Sequence, residues 1–201
     1  MKVNEIFYSL QGEGLYTGTP AVFVRFSGCN TRCAFCDTQH QHGTEMTEEE
    51  VVDAIMKYPA RHVVITGGEP TLQLTASFVR LLHGHDFFVQ IETNGSMPLP
   101  DGCDVDWITC SPKDLPIRIQ RIDELKVLFD VRNADNESRI RQYAGIKAKE
   151  YRLQPVDASL SLHGKELEEQ NRINLETTIN YILQNPKWKL SLQTHKIINV
   201  R

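Results

Sequence analysis

The chain has 201 residues, of which 40% are hydrophobic, and its formal net charge is -4. This size suffices for a buried core, so we expect residues 1–201 to form a single domain. The acidic balance argues against a nucleic-acid partner. No stretch approaches the ~20 apolar residues of a membrane span, and Met1–Glu5 lacks a signal peptide's apolar run, so we expect a cytoplasmic protein with no membrane partner.

Short apolar strands alternate with amphipathic helices along the chain. The predicted strands cover 22–26, 62–66, 87–92, 107–109, 125–129, 151–153 and 189–192. The first predicted helix follows the N-cap Thr47, and the later helices cover 75–83, 137–144 and 167–184. This alternation predicts parallel β/α units, and roughly six units are too few for a complete eight-fold barrel. We therefore predict an α/β fold that is a partial, truncated β/α barrel with mostly parallel strands.

Unusual segments follow the ends of several predicted strands. They are Gly28-Cys29, the run Gly67 to Pro70, the run Thr93 to Gly95, and the run Ser111 to Lys113. In parallel α/β folds the ligand site lies at the C-terminal ends of the strands. We therefore expect these segments to converge on one rim.

Three of the five cysteines, Cys29, Cys33 and Cys36, lie close together directly after the first predicted strand. Their thiolates could hold three irons of a cubane cluster and leave one iron open, because such clusters usually take four cysteines. A structural zinc site completed by His40 or His42 is the alternative, and the cysteines alone leave the choice about even. The spacing and the aromatic residue before Cys36 favour the cluster. Cys103 and Cys110 are interpreted as ordinary thiols.

The loop Cys29-x3-Cys33-x-Phe35-Cys36 resembles the signature of the radical S-adenosylmethionine (radical SAM) superfamily. Gly67-Gly68-Glu69-Pro70 resembles that superfamily's second motif, which receives the amino group of the cofactor's methionine. Further segments narrow the resemblance to the 7-carboxy-7-deazaguanine synthase family; they include Tyr8 to Gly14, Phe23 to Phe26, Cys36 to Thr38, Glu92 to Gly95, Ser111 to Lys113 and Ser191 to Lys196.

This resemblance implies a lyase of queuosine and deazapurine biosynthesis. It would contract the ring of 6-carboxy-5,6,7,8-tetrahydropterin by radical chemistry, with loss of ammonia, to give 7-carboxy-7-deazaguanine. The implied cofactors are a [4Fe–4S] cluster, S-adenosyl-L-methionine and Mg²⁺. The resemblance also implies a truncated barrel, a homodimer and an electron donor such as a flavodoxin.

The resemblance assigns binding roles to individual residues and names no catalytic side chain. The implied substrate-binding residues are Leu10, Gln11, Gly12, Glu13, Arg25 and Thr93. The implied cofactor-binding residues are Phe35, Gly68, Glu69, Gly95, Ser111, Pro112 and Lys113. The implied metal ligands are Cys29, Cys33 and Cys36 for the cluster and Thr38 for magnesium, with Asp37 as a rival oxygen ligand.

Arg25 also stands out without the resemblance, because a charge inside an apolar strand needs a partner. Its guanidinium suits a substrate carboxylate, and a local acid such as Glu13 is the alternative partner. Gln154 and His195 are weaker candidates. The chain departs from family members that end in Gly-Ile-Pro, so Ile197 to Arg201 are not assigned to the site.

Two other functions compete with this interpretation. One is an activating enzyme that generates a glycyl radical on a partner polypeptide, which the segment Gln11 to Gly14 disfavours. The other is a zinc-binding module without catalysis. Iron content after anaerobic purification separates the zinc module from a cluster enzyme.

Overall fold

The computed structural model describes residues 1–33, 36, 40–113 and 115–201. Its strands are β1 Lys2–Leu10, β2 Pro20–Phe26, β3 Thr44–Glu45, β4 His62–Gly67, β5 Phe88–Thr93, β6 Trp107–Cys110, β7 Glu124–Phe129, β8 Glu150–Pro155 and β9 Lys189–Leu190. Its α-helices are α1 Glu48–Ile55, α2 Ala76–Gly84, α3 Asn136–Ala144, α4 Gly164–Gln184 and α5 Thr194–Ile197, with a 3₁₀ turn at Pro70–Leu72.

The described strands form one sheet in the order β3-β1-β2-β4-β5-β6-β7-β8-β9. All neighbouring pairs from β2 to β9 are parallel, whereas β1 pairs antiparallel with both β2 and β3. The sheet is open and mostly parallel with helices packed on it, which confirms the predicted partial β/α barrel.

Alternation along the strands separates an apolar face from a polar one. In β7, Leu125 and Val127 belong to the main hydrophobic core, whereas Lys126 lines a cavity on the opposite face. In β2, Val24 is in the core and Arg25 lines the same cavity. Successive side chains of a strand point to opposite faces, so one polar residue within an apolar strand marks the inner, cavity-lining face.

The helices α1 to α3 begin within one residue of the predicted positions, whereas α4 begins at Gly164, earlier than predicted, and α5 was not predicted. Thr47 caps α1 in a reciprocal capping box, in which its hydroxyl accepts from the Glu50 N–H at 3.2 Å and Glu50 accepts from the Thr47 N–H at 2.8 Å. Thr75 caps α2 by accepting from the Phe78 N–H at 3.1 Å. Both caps satisfy backbone donors that a helix start leaves without an intrahelical partner.

The strands and helices of the structure differ from the predicted ones in three further respects. The strands β1 and β3 are not among the predicted elements, and only Val3 and Phe7 of β1 are buried. The strict β/α alternation was wrong between β5 and β7, since the described residues connecting β5 to β6 and β6 to β7 form no helix. The last predicted strand is shorter than expected and ends at Leu190.

The loop between β1 and β2 closes one end of the sheet's inner face. Tyr16 at its tip makes edge contacts of 5.0 to 5.4 Å with His62, Phe88 and Trp107. These three residues are the first residues of β4, β5 and β6. The loop thus packs against the N-terminal ends of the strands and leaves their C-terminal ends to the cavity.

Among the described residues, no helix is both long enough and apolar enough to cross a membrane.

Candidate functional site

A cavity of about 270 Å³ lies on the inner face of the sheet. It brings together most of the residues predicted for the site, although they come from distant parts of the chain. The predicted residues that line it are Leu10, Gln11, Gly12, Glu13, Arg25, Cys29, Cys33, Cys36, Gly68, Thr93, Ser111 and Lys113. The predicted convergence of the strand ends on one rim is therefore observed. The predicted residues Phe35 and Thr38, and the rival Asp37, lie outside the described residues.

The three clustered cysteines lie on the cavity wall as reduced thiols, with Cys29 and Cys33 half-buried and Cys36 exposed. The Cys36 N–H donates to the Cys33 carbonyl at 3.2 Å, and the Gly28 N–H donates to the His40 carbonyl at 2.7 Å, so the described ends of the loop turn back on themselves. The pKa of Cys29 is raised by burial and further raised by the negative charges of Glu69, Cys33 and Cys36. Three cysteine thiols on one wall of the cavity suit an iron–sulfur group, which binds cysteine sulfur as thiolate.

A single metal ion needs a tighter arrangement of ligands than a cubane cluster, whose thiolates each bind a different iron. In the part of the chain that the structure describes, no three His, Cys, Asp or Glu side chains are gathered as ligands of one ion.

Gly68 lies directly against the cysteine loop. A Cβ at Gly68 would stand 1.9 Å from the Gly28 carbonyl oxygen and 2.9 Å from the Cys29 Cβ. The Glu69 N–H donates to the Gly28 carbonyl at 2.9 Å, which ties the two segments together. Glycine is required at Gly68 because any side chain would push the cysteine loop away.

The Glu69 carboxylate is completely buried and serves as an acceptor for the protein itself. One oxygen accepts from the Thr71 N–H at 3.1 Å, from the Thr71 hydroxyl at 2.6 Å and from the Thr93 hydroxyl at 2.7 Å. Its other oxygen accepts from the Asn94 N–H at 2.8 Å. Glu69 does not line the cavity, so the structure places it as the residue that joins the Gly68 and Thr93 segments.

Gly95 and Pro112 likewise lie behind the cavity wall. Gly95 has a φ of 75°, and a Cβ there would approach the Cys110 Sγ to 2.4 Å. Pro112 is buried between Ser111 and Lys113, which both line the cavity. Lys113 donates to the Ser111 hydroxyl at 2.8 Å, and its pKa is lowered by burial and by the positive charge of Lys126.

A buried polar network forms the end of the cavity closed by the β1–β2 loop. Lys126 forms ion pairs with Glu13 and, at 2.8 Å, with Glu92. Glu92 also accepts from the Gln11 amide at 2.9 Å. Glu13 accepts from the amides of Gln154 at 3.1 Å and Gln193 at 2.8 Å.

This network fixes the charges of its members. Burial alone would raise the pKa of Glu13, but Lys126 and the amide donor Gln193 lower it to about 2. Burial would lower the pKa of Lys126, but Glu13 and Glu92 raise it well above its ordinary value. At neutral pH the network is therefore an ammonium between two carboxylates.

Gly12 lines the cavity and also makes a close contact within the protein. A Cβ at Gly12 would lie 2.1 Å from the His195 Nδ1. The Thr194 N–H donates to the Gly12 carbonyl at 2.9 Å. Gly12 thus lets the segment around α5 pack against the loop after β1.

The partner of Arg25 is an acid that the sequence analysis did not name. Its Nε lies 2.9 Å from the Glu5 Oε1, and Glu5 is on the neighbouring antiparallel strand β1. Arg25 also lines the cavity, so both of its predicted partners, a local acid and a ligand, are within its reach.

Several cavity residues were missed or treated as weak candidates. Lys126 and Glu92 were not assigned, although a charged residue inside an apolar strand signals the inner face just as Arg25 does. Gln193, Lys196 and Arg201 line the cavity together with the weaker candidates Gln154 and His195. The segment Ser191 to Lys196 contributes to the family resemblance, but local periodicity does not place it at the cavity, because its position depends on how α5 packs against the loop after β1.

Comparisons with known proteins identify the family of the chain. Residues 23–144, more than half of the chain, match the family model of the Radical SAM superfamily. A 7-carboxy-7-deazaguanine synthase from Bacteroides thetaiotaomicron is 46% identical over 100% of this chain and 98% of its own length. One from Burkholderia multivorans is 37% identical over 98% of both chains. The crystal structure of QueE from Escherichia coli superposes with a TM-score of 0.70 and 30% identity, covering 95% of this chain and 92% of that one.

Proposed function

The chain belongs to the 7-carboxy-7-deazaguanine synthase family of radical SAM enzymes, and we propose that it forms 7-carboxy-7-deazaguanine from 6-carboxy-5,6,7,8-tetrahydropterin with loss of ammonia. The observation that supports this most is the cavity itself. It places the three clustered cysteines and the Glu13–Lys126–Glu92 network on the walls of one space. A cofactor end and a substrate end are thereby adjacent, as a reaction between the two ligands requires.

At the cofactor end, Cys29, Cys33 and Cys36 would hold the [4Fe–4S] cluster. When bound there, the cluster and S-adenosylmethionine would supply the radical chemistry, which these residues would keep next to the substrate end of the cavity. Gly68 leaves room for the cofactor because it has no side chain. Ser111 and Lys113 offer a hydroxyl and a cation to the cofactor's ribose and carboxylate. Lys113 is more easily deprotonated than an exposed lysine, and a bound carboxylate would favour its charged form.

At the substrate end, the network orients a nitrogen-rich ring. Glu13 and Glu92 are acceptors for the N–H groups of a pterin, and Lys126 is a donor for its ring nitrogens or carbonyl. Lys126 stays protonated at neutral pH because both carboxylates raise its pKa, so it acts as a donor rather than a base. Arg25 provides the planar fork that suits the pterin's carboxylate. Thr93 lines the cavity between the two ends, and its hydroxyl is held by Glu69 and Gly95.

The remaining expectations complete the proposal. Magnesium would be bound by the Thr38 hydroxyl and substrate oxygens, in keeping with its preference for oxygen ligands. An electron donor such as a flavodoxin would reduce the cluster. The enzyme would work as a homodimer with one radical SAM domain in each chain. These points are implied by the family resemblance.

Reconstitution of the enzyme tests the proposed function directly. The protein is loaded with iron and sulfide without oxygen and then incubated with S-adenosylmethionine, a reductant and the carboxytetrahydropterin. We expect 7-carboxy-7-deazaguanine and ammonia in equal amounts. Cys33→Ala should lose both the cluster and the product, whereas Cys103→Ala should keep both, because Cys103 is buried away from the cavity. A cluster-loaded wild type that cleaves the cofactor but leaves this pterin unchanged would contradict the proposal.

A further inference from the structure

The short helix α5 forms part of the cavity wall. It carries His195 and Lys196, which line the cavity, and Gln193 directly before it donates to the Glu13 carboxylate at 2.8 Å. A helix of four residues has too few internal hydrogen bonds to hold its position by itself. Contacts with other parts of the chain must therefore place α5 and the side chains that it brings to the cavity.

The start of α5 is attached to the loop after β1. The Thr194 N–H and the Thr194 hydroxyl both donate to the Gly12 carbonyl, each at 2.9 Å. Gln193 reaches Glu13 in the same loop. This attachment holds the first residues of α5 next to the Glu13–Lys126–Glu92 network.

The end of α5 is attached to a different part of the chain, the segment between β8 and α4. The Lys196 ammonium donates to the Asp157 Oδ2 at 2.6 Å, and both side chains line the cavity. The Asp157 side chain is 20% exposed and that of Lys196 is 37% exposed, so the ion pair is partly shielded from solvent. A partly buried ion pair is screened less than one on the open surface.

Asp157 is itself held by α4 and by its own loop. Its Oδ1 accepts from the Asn171 amide at 2.9 Å and from the Ser159 N–H at 3.1 Å. Its Oδ2 accepts from the Ser159 hydroxyl at 3.0 Å in addition to Lys196. Burial would raise the pKa of Asp157, but Lys196 and Asn171 lower it to about 2, so the carboxylate is charged at neutral pH. Asp157 thus offers Lys196 a fixed, charged acceptor.

We propose that Asp157 is a positioning residue for the substrate: through Lys196 it holds α5 against the substrate end of the cavity. This inference rests on the proposed function. His195 lies between Thr194 and Lys196, so the two attachments fix its backbone from both sides. When the ion pair is lost, the end of α5 must be ordered at the moment the substrate binds, and this ordering costs affinity.

Asp157→Asn tests the role, because it keeps the shape of the side chain and removes its charge. Binding of 6-carboxytetrahydropterin is measured by calorimetry on cluster-loaded enzyme with S-adenosylmethionine. We expect pterin binding to weaken by about threefold to tenfold, the effect of a partly exposed charged hydrogen bond. KM should rise by a similar factor while kcat changes little, and the affinity for S-adenosylmethionine should stay as in the wild type. Amide hydrogens of residues 193–198 should exchange faster.

A second variant and a control sharpen the comparison. Lys196→Met should also weaken pterin binding, and it provides the same test if Asp157→Asn fails to load the cluster. Because both changes remove one ion pair, the double variant should lose less affinity than the sum of the two single losses. Glu137→Gln is the control, since it breaks an exposed pair with Arg141 on α3 and neither residue lines the cavity. The control should bind the pterin as the wild type does.

Normal pterin affinity in either single variant would overturn the role of Asp157, even if the variant unfolds more easily. Equal losses of affinity for the pterin and for S-adenosylmethionine would also overturn it, because they indicate a general loosening of the protein. Failure of the proposed function gives a different result. In that case the wild type binds the pterin but forms no deazaguanine, and a selective loss of pterin affinity in Asp157→Asn still supports the positioning role. A wild type that binds no pterin overturns both ideas.

Discussion

The Thr93 hydroxyl donates a hydrogen bond of 2.7 Å to the buried carboxylate of Glu69, and so connects a residue on the cavity wall to the motif behind the cysteine loop. The same hydroxyl accepts from the Gly95 N–H at 3.0 Å. The segments at the ends of the neighbouring strands β4 and β5 are thus joined by one side chain.

Replacing this hydroxyl should loosen the site. Thr93→Val keeps the shape but leaves the Glu69 carboxylate with one donor fewer and the Gly95 N–H without this acceptor. We expect a loss of about 1.5–3 kcal/mol in the free energy of unfolding, the range for hydrogen bonds to charged groups. Thr93→Ser keeps the hydroxyl and should remain close to wild type. Denaturant unfolding measures both, and equal stability of the two variants would refute the bridging role.

Lys126→Met should be strongly destabilising. Its side chain is 3% exposed, and its removal leaves Glu13 and Glu92 buried without their shared cation. Breaking a buried charge pair in this way costs about 3–5 kcal/mol. Lys189→Met is the control, because Lys189 pairs with Glu150 but is 58% exposed, and such a pair contributes only about 0–1 kcal/mol. Adding Glu13→Gln to Lys126→Met should restore part of the stability, and further loss in the double variant would contradict this account.

Glu13 should make the protein sensitive to acid. Its pKa in the folded protein is about 2, below that of a free glutamate near 4.3, so its charged form stabilises the fold. The contribution is complete above the unfolded pKa and is lost as pH falls from about 4.3 towards 2. The stability of Glu13→Gln should therefore depend less on pH in this window than that of the wild type. Unfolding free energies measured between pH 5 and 2.5 would show this, and parallel curves would contradict it.

Gly68→Ala should impair cluster retention. The added methyl group would overlap the Gly28 carbonyl oxygen and press on Cys29. We expect less iron bound per chain and lower stability. Gly84→Ala is the matched control, since a Cβ there meets nothing within 4 Å at the end of α2. The control should bind iron normally and be slightly more stable, because alanine lowers the entropy of the unfolded chain. Equal iron content in both variants would show that the loop tolerates the methyl group.

The magnesium assignment is tested at Thr38. Thr38→Val deletes the hydroxyl with little change of shape, and Thr38→Ser retains an oxygen. If the hydroxyl binds Mg²⁺, the valine enzyme should lose most of the stimulation of product formation by magnesium, and the serine enzyme should keep it. A loss found only in Asp37→Asn would assign the ion to Asp37 instead, and equal magnesium dependence in all variants would reject both ligands.

Much of the fold could be predicted because strand and helix periodicities are local. The core strands and the caps Thr47 and Thr75 follow from such patterns. The strand β1 could not be predicted in the same way. Its pairing with β2 leaves one face half-exposed, so Val3 and Phe7 are buried while residues such as Glu5 stay polar. Antiparallel strands with one solvated face give a weak apolar signal.

The site likewise has parts that local sequence predicts and parts that it does not. The cysteine loop and the Gly67 to Pro70 motif are contiguous in sequence, so their spacing carries information. The partners of Glu13 are Lys126, Gln154 and Gln193, and no local pattern relates these positions. The motif identifies Glu69 but does not reveal its partners. The Glu69 carboxylate accepts hydrogen bonds from Thr71, Thr93 and Asn94 behind the cavity wall.

The hydrogen bond from Gln193 to Glu13 spans 180 positions of the sequence. Contacts this distant form late in folding, because a long loop must be closed before they contribute. During synthesis on the ribosome, the loop after β1 is made well before the segment around Gln193. Glu13 therefore gains its last partner only after that segment has been made. The core of the barrel can therefore assemble while the end of the cavity formed by the Glu13–Lys126–Glu92 network is still open. We expect the amide hydrogens at this end to exchange faster than those of the central strands.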